Sequence, residues 1–268
     1  AVGAPAPTVI RIDMRANAAA MISGQLSRRY DQLELIIGLP LIAALKTDEL
    51  AAILAHEFGH FSQRSGMWYQ FIIRSVNQWL SQHVEEREPI DRVIQEWARE
   101  RAVYWLLFAY AARLLILGTR QLLALFMWFG EWVSSYVMRQ MELDADIAGA
   151  RLSGHQCYVA TSRKMMVLQL AQAEAEREMT ESWEEDVLVD DLAGYIALRA
   201  GNMGQFVEPL VEKMIEGEKL KELATHPVMR ERIAKVMDSG DQARFTLSVP
   251  SIELMHGYRR ITRLISLE

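Results

Sequence analysis

The sequence has very little cysteine and no excess of basic charge, and each of these absences excludes a class of protein. Its 268 residues contain one cysteine, Cys157, which excludes a disulfide within the chain and suits a reducing compartment. The net charge is -6 and no basic patch is present, so we expect no nucleic-acid partner. The chain begins at an alanine, with no signal peptide and close to an expected strand. We therefore expect its N-terminus to be truncated or processed.

Long uncharged hydrophobic runs are also missing, although residues 102–133 are strongly apolar. Arg113, Arg120 and Glu131 interrupt this segment, so it falls short of the roughly 20 uncharged residues of a membrane-spanning helix. A charge at the centre of a bilayer costs at least about 2.5–3.5 kcal/mol, which disfavours a simple span. Two interpretations stay open: a long helical hairpin packed on the protein, or a segment partly inserted in lipid. The wide apolar face favours membrane association over true spanning.

The most informative motif is His56-Glu57-Phe58-Gly59-His60, an HExxH pattern in a run of helical periodicity. Two histidines four residues apart on a helix direct their imidazoles to one point, where zinc binds at about 2.0–2.1 Å from each nitrogen. Glu57 would then take a proton from the water that zinc activates. The alternative interpretation is a helix with two partly buried structural histidines.

A catalytic zinc site needs a third protein ligand, because three ligands leave the fourth position for water. Glu142 is the candidate, since Glu142 and Asp146 are four residues apart and share one face of an expected helix. Asp146 would then orient a ligand histidine through its second ring nitrogen. The alternative is a solvated acidic helix face, as we expect for Asp144. The HExxH motif upstream and the apolar surroundings favour the ligand interpretation.

Three motifs in this order resemble those of the HtpX-like zinc metallopeptidases of metallopeptidase family 48. These are gluzincins that also include the CaaX prenyl proteases. The motifs are the HExxH segment, Glu142-Leu143-Asp144-Ala145-Asp146 and Thr225-His226-Pro227. Two upstream segments, around residues 7–18 and 33–41, are similar to strands of that family. The resemblance covers most of residues 5–155 and a second segment at 222–236. A CaaX-type protease is disfavoured, because the chain is short and polar for a large intramembrane chamber.

The resemblance implies further roles. His226 would approach the zinc site from a loop and either stabilise the tetrahedral intermediate or cap the open zinc position at rest. The alternative is an ordinary loop histidine before Pro227. Asn17 and Ala18 would belong to an edge strand to which the substrate backbone adds. Arg232 is expected to pair with a carboxylate, for which Asp146 is the candidate.

The expected fold is mostly α-helical (α+β), a helical zincin-type core with a small β-sheet. We expect a single metallopeptidase domain, 1–268, with an apolar helical insertion at about 65–138. Alternation and β-branched residues predict strands at 8–13 and 33–38, with a turn or edge segment between them. The chain beyond Pro40 has helical periodicity. Thr47 is the expected N-cap of the HExxH helix, and Gly201-Asn202-Met203-Gly204 the expected turn of a later region.

The function expected from these residues and the resemblance is that of a zinc-dependent endopeptidase acting on unfolded or membrane-associated proteins. One zinc per chain would be held by His56, His60 and Glu142. The resemblance suggests an inner-membrane location with the active site facing the cytoplasm. The alternative is a non-catalytic zinc-binding interaction or chaperone-like module that uses the apolar helices. Glu57 argues against it, because a closed structural site has no need of a base.

Overall fold

The computed structural model describes residues 3–22, 33–62, 72–73, 75–81, 103–183, 189–219 and 224–266. These residues form a mostly α-helical fold with one three-stranded sheet, as predicted. The chain divides into two compact units. The first comprises residues 1–63, 141–220 and 227–268, and the second residues 64–140 and 221–226. Parts of the predicted insertion, including residues 82–102, lie outside the described residues. The prediction of a single domain with an insertion stays a prediction.

The sheet of the first unit consists of β1 (Val9–Asp13), β2 (Ala18–Ile22) and β3 (Leu33–Gly38). The central strand, β3, pairs in parallel with β1 and antiparallel with β2. The predicted strands are confirmed to within one residue, and the expected edge segment contains β2. Gly38 ends β3 where its N–H donates to Asn17 O at 2.9 Å. A β-carbon at Gly38 would collide with the carbonyl of Arg15, so glycine is required there.

Seven α-helices and one short 3₁₀ segment account for most of the remaining described residues, and residues 75–81 are helical as well. The helices are α1 (Leu39–Ala44), α2 (Thr47–Ser62), α3 (Val103–Ser153), α4 (His155–Trp183), α5 (Leu192–Gly217), α6 (Met229–Ser239) and the terminal α7 (Tyr258–Ser266), with the 3₁₀ segment at Ser251–Leu254. Buried leucine, isoleucine and alanine side chains of α1, α2, α4 and α5 form the main hydrophobic core of the first unit, together with Ala16 and Ala18. Burial of each large side chain contributes about 1.5–3 kcal/mol, which holds the HExxH helix against its neighbours.

The start of α2 differs from the prediction. Its first backbone bond runs from Leu50 N to Lys46 O, so Lys46, not Thr47, occupies the N-cap position. The Thr47 hydroxyl donates instead to Val249 O at 2.9 Å, and the Lys46 N–H donates to the Glu49 carboxylate at 2.8 Å. The segment before Pro250 therefore anchors the helix that carries the two histidines.

The predicted turn at Gly201–Gly204 is wrong, because α5 runs through it without interruption. A glycine in a helix costs about 1 kcal/mol relative to alanine. Burial on both sides of the segment outweighs that cost. Ile196 precedes it on the core face, and Val207, Val211 and Ile215 follow at helical spacing. Asp191 is the N-cap of α5, and its carboxylate accepts a hydrogen bond from Gly194 N at 2.7 Å.

The strongly apolar segment lies in α3. Residues 103–133 form one uninterrupted helix, so this segment does not itself turn back as a hairpin. Many of its large apolar side chains are exposed, among them Leu115 at 70% and Leu107 at 66%. Within the described residues, the stretch from Leu107 to Ser153 is the one helix whose length and composition would allow it to cross a membrane. Arg113 is exposed on it.

Candidate metal centre

Small residues let α2 approach the C-terminal part of α3 closely. A β-carbon added at Gly59 would lie 3.1 Å from Ala145 Cα and 3.2 Å from Ala148 Cβ, tighter than ordinary packing. One further turn along α3, a β-carbon at Gly149 would lie 2.9 Å from Ala52 O. Side chains at these positions would push the two helices apart. The small residues therefore bring the HExxH face of α2 to the face of α3 that carries Glu142.

Three side chains converge where these helices meet. His56, His60 and Glu142 each offer one ligand atom, and these atoms lie within 4.8 Å of one another. His56 Nε2 is 3.8 Å from Glu142 Oε2, and His60 Nε2 is 3.7 Å from Glu142 Oε1. Burial and the neighbouring His56 lower the pKa of His60, which favours the neutral imidazole that binds metals. The three predicted ligands are thus adjacent.

The donor set fits a divalent metal of the zinc type. Two imidazole nitrogens and one carboxylate are a donor set of catalytic zinc sites, which leave the fourth position open. Bonds of about 2.0–2.1 Å in a tetrahedron place ligand atoms about 3.3 Å apart. The two histidine–carboxylate separations, 3.8 and 3.7 Å, therefore need to close by only a few tenths of an ångström. The His60 side chain is one-quarter exposed, so the cluster is open to solvent on one side.

Asp146 lies directly behind His56, as its position four residues after Glu142 indicates. Its Oδ1 is 3.0 Å from His56 Nδ1, and the carboxylate is fully buried. Arg232 of α6 donates to both oxygens, from Nε to Oδ2 at 2.8 Å and from Nη2 to Oδ1 at 2.6 Å. The predicted pairing of Arg232 with Asp146 is confirmed. Burial favours the neutral acid, but Arg232 and His56 outweigh it and hold the pKa of Asp146 far below its usual range.

Tyr158 of α4 joins this network, although it was not among the predicted site residues. Its hydroxyl donates to Asp146 Oδ1 at 2.6 Å and lies 3.1 Å from His56 Nδ1. Burial and the Asp146 charge raise the pKa of Tyr158 well above its ordinary value, so the phenol keeps its proton. No local pattern links Tyr158 to the motifs. The one sequence feature that relates to its position is Gly149, because the absence of a side chain there leaves space for the tyrosine ring.

Glu57 lies on α2 between the two histidines and faces strand β2. Its Oε2 accepts a hydrogen bond from Ala20 N at 3.3 Å. Burial raises the pKa of Glu57, while His56 and the Ala20 N–H act in the opposite direction. The predicted edge-strand residues, Asn17 and Ala18, lie just before Ala20, which was not predicted to contact Glu57. The carboxylate thus lies between the ligand cluster and one edge of the sheet.

The open edge of β2 presents alternate backbone groups. Asn17 O accepts from Gly38 N, so Asn17 is turned toward β3. Alternation in an antiparallel pair then directs the backbone groups of Ala18 and Ala20 away from β3, consistent with the bond from Ala20 N to Glu57. Of the two predicted edge residues, Ala18 therefore has its backbone groups directed away from β3, but the residue is buried at 4% exposure. The carbonyl of Asn17 is already engaged by Gly38.

His226 is not part of the ligand cluster. It belongs to the second compact unit, and its side chain is exposed. In that unit Arg139 donates from Nη1 to Ala224 O at 2.8 Å, two residues before His226. Its role toward the metal site stays a prediction.

Comparison with models of protein families finds a match. The sequence profile described as Peptidase family M48 matches residues 3–239, which include the ligand cluster, Asp146, Tyr158 and Arg232. Comparisons with curated proteins and with solved structures gave no match. The match extends over most of the chain and agrees with the resemblance carried by the three motifs. The chain therefore belongs to peptidase family M48, a family of metallopeptidases.

Proposed function

We propose that the protein is a zinc-dependent endopeptidase that binds one zinc ion per chain through His56, His60 and Glu142. The observation that carries this proposal is the convergence of these ligand atoms within 4.8 Å, with the Glu57 carboxylate beside them. A structural zinc site is closed by four protein ligands and has no need of a base. Here three ligands and an adjacent carboxylate correspond to a hydrolytic site.

Zinc, when bound, would polarise the substrate carbonyl and lower the pKa of a water molecule. Glu57 would accept the proton that this water loses on attacking the carbonyl carbon, and would then give it to the nitrogen of the leaving amine. Asp146 would hold the ring of His56 through Nδ1, and Arg232 would keep Asp146 ionised and oriented. The hydrogen bonds among Arg232, Asp146 and His56 have the geometry that the last two roles require.

The substrate is an extended polypeptide that adds to the open edge of β2. Of the groups that β2 turns away from β3, the Ala20 carbonyl would pair with it, because the Ala20 N–H is bonded to Glu57 and Ala18 is buried. Such backbone pairing recognises an unfolded segment with little dependence on its side chains. Because Ala20 N already lies 3.3 Å from Glu57, a strand bound there would run beside the base. Asn17 would lie at the end of this strand and not pair with the peptide through its carbonyl.

The apolar face of α3 supports association with a membrane. Exposed leucine and aromatic side chains occur along much of residues 103–133. A helix that lies in a membrane interface has such an apolar face, which it buries in the outer part of the bilayer. We propose membrane-associated and unfolded proteins as substrates. By resemblance, we propose an inner-membrane location with the active site toward the cytoplasm. A polypeptide and a lipid surface, with no nucleic acid, are thus the proposed partners.

The test of the proposed function is the Glu57→Gln variant assayed on casein at full zinc occupancy. Glutamine keeps the shape of the side chain but cannot accept the proton, so we expect unchanged zinc content and a loss of about 10²- to 10⁴-fold in kcat. Glu208→Gln, at an exposed position of α5, is the matched control and keeps wild-type activity. Substantial hydrolysis by zinc-loaded Glu57→Gln contradicts the role of Glu57. A wild-type protein that binds zinc without cleaving casein supports the interaction module instead.

A further inference from the structure

The hydroxyl of Tyr158 occupies a buried position behind the metal-ligand cluster. It lies between two elements of the site, 2.6 Å from Asp146 Oδ1 and 3.1 Å from His56 Nδ1. The ring packs with Ala52, Ala150 and Val236 in a small hydrophobic cluster. A β-carbon at Gly149 would lie 2.3 Å from the Tyr158 ring, so the ring reaches this position only because residue 149 is glycine.

The proton positions in this network follow from the donors and acceptors. Asp146 Oδ1 accepts from Arg232 Nη2 and from the Tyr158 hydroxyl, both at 2.6 Å. The phenol has one hydrogen, and Asp146 receives it, so the Tyr158 oxygen turns a lone pair toward His56 Nδ1. The two oxygens that face His56 Nδ1 are therefore both acceptors. Nδ1 must carry the ring proton, and Nε2, the atom that faces Glu142, is left with its lone pair free for a metal.

We propose that Tyr158 is a positioning residue for the metal site, which fixes the tautomer and the ring orientation of His56 together with Asp146. This inference rests on the proposed zinc site. Asp146 alone offers Nδ1 one oxygen, already shared with two other donors, whereas Tyr158 supplies a second acceptor from α4. Two acceptors on different helices restrict rotation of the imidazole ring more than a single acceptor does. A ligand that is oriented before the metal arrives loses less entropy on binding it.

Packing alone does not account for the hydroxyl. A phenylalanine would fill the same space against Ala52 and Ala150 without placing a polar atom in a buried site. The hydrogen bond to Asp146 offsets the free-energy cost of burying the Tyr158 hydroxyl. The same bond orients the carboxylate that faces His56. Tyr158 thus links α4 to the ligand on α2 through the carboxylate on α3.

The test compares Tyr158→Phe with Tyr258→Phe in the full chain. Tyr258 is a matched control, because it is also buried in the first unit and its hydroxyl also lies near a carboxylate, Asp191 at 3.4 Å. Zinc Kd is measured by competition with a chromophoric chelator. Loss of a partner behind a metal-ligating histidine weakens binding by about 10- to 100-fold, and we expect that range for Tyr158→Phe. Tyr258→Phe should bind zinc as the wild type does. Equal Kd values for wild type and a folded Tyr158→Phe overturn the inference and leave the zinc site standing.

A second measurement tests the inference on the wild-type protein, so that the test does not depend on whether Tyr158→Phe folds. Nitrogen-15 spectra of the histidine side chains of metal-free wild-type protein, in mildly alkaline buffer, report which ring nitrogen carries the proton. The resonances of His56 are identified among those of the six histidines because they disappear in His56→Gln. We expect the Nδ1-protonated tautomer; the Nε2-protonated form overturns the inference regardless of the variant. A wild-type chain that binds no zinc at all overturns the proposed function and this inference with it, an outcome distinct from equal affinities.

Discussion

The two parts of helix α3 differ in what surrounds them. In the C-terminal part, Glu142, Ala145 and Asp146 are buried, and the carboxylate of Asp146 has protein partners on both oxygens. In the part before residue 134, leucine and aromatic side chains are exposed, as Leu115 is at 70%. One continuous helix therefore carries a tightly specified polar site and an apolar face that the described protein leaves uncovered. The polar site depends on particular hydrogen-bond and ion-pair partners, whereas the apolar face depends only on the hydrophobic character of its residues. Single substitutions should therefore affect folding and activity strongly at the polar site and weakly on the apolar face.

The largest effect is expected for Glu142→Ala, which removes one of three ligands. Two imidazoles alone do not make a catalytic zinc site, so zinc content should fall well below one per chain and hydrolysis should be lost. Asp144→Ala, at an exposed position of the same helix turn, serves as the control and should retain zinc. Elemental analysis that finds wild-type zinc in Glu142→Ala removes Glu142 from the ligand set.

His226→Ala is expected to have the next largest effect. If His226 stabilises the developing oxyanion, kcat of His226→Ala should fall by about 10²- to 10³-fold with KM and zinc content nearly unchanged. Steady-state kinetics on a peptide substrate measure it, with His256→Ala, an exposed turn histidine, as control. An increase in activity would assign His226 to capping the open metal position. A rate within about twofold of wild type is incompatible with both roles.

Asp146→Asn should have a large effect on stability as well as on the site. The substitution leaves the Arg232 guanidinium facing a neutral amide where Asp146 is fully buried. Breaking a buried ion pair costs about 3–5 kcal/mol, and because Arg232 is partly exposed we expect a loss of about 3 kcal/mol. Urea unfolding of the metal-free protein measures it. A loss below about 1 kcal/mol would show that the network is not a stabilising feature of the polar region.

Lysine substitutions on the apolar face of α3 should have the smallest effect on folding. Leu115→Lys with Leu122→Lys changes two exposed positions one heptad apart, so the free energy of unfolding in water should change by less than about 0.5 kcal/mol per site. Membrane association should nevertheless fall, because these side chains form the face proposed to enter lipid. Liposome flotation measures this, with Leu198→Lys in the first unit as a matched exposed control. Wild-type protein that stays entirely in the soluble fraction, as a monodisperse monomer without detergent, argues against the membrane proposal.

Local features of the fold and site were predictable from sequence. The i, i+4 spacing of His56 and His60 depends only on helix geometry, and the same is true of Glu142 and Asp146. Alternating apolar and polar residues identified β1, and a run of β-branched and leucine residues identified β3. These patterns concern residues whose relative positions a single helix or strand fixes.

Features that depend on distant contacts were missed or wrong. Tyr158 approaches Asp146 from another helix, and its place depends on the absence of a side chain at Gly149. The bond from Ala20 N to Glu57 joins residues 37 positions apart. The helix through Gly201–Gly204 follows from burial of residues before and after it, which outweighs the local preference for a turn. Tertiary packing determines each of these three features, so no local pattern in the sequence predicts them.

The most direct test of the central claim is casein hydrolysis by the wild-type protein before chelation, after chelation and after zinc is restored. If His56, His60 and Glu142 hold a catalytic zinc, activity is lost with the metal and returns when zinc reaches one ion per chain. Hydrolysis that persists at undetectable zinc content would contradict the account.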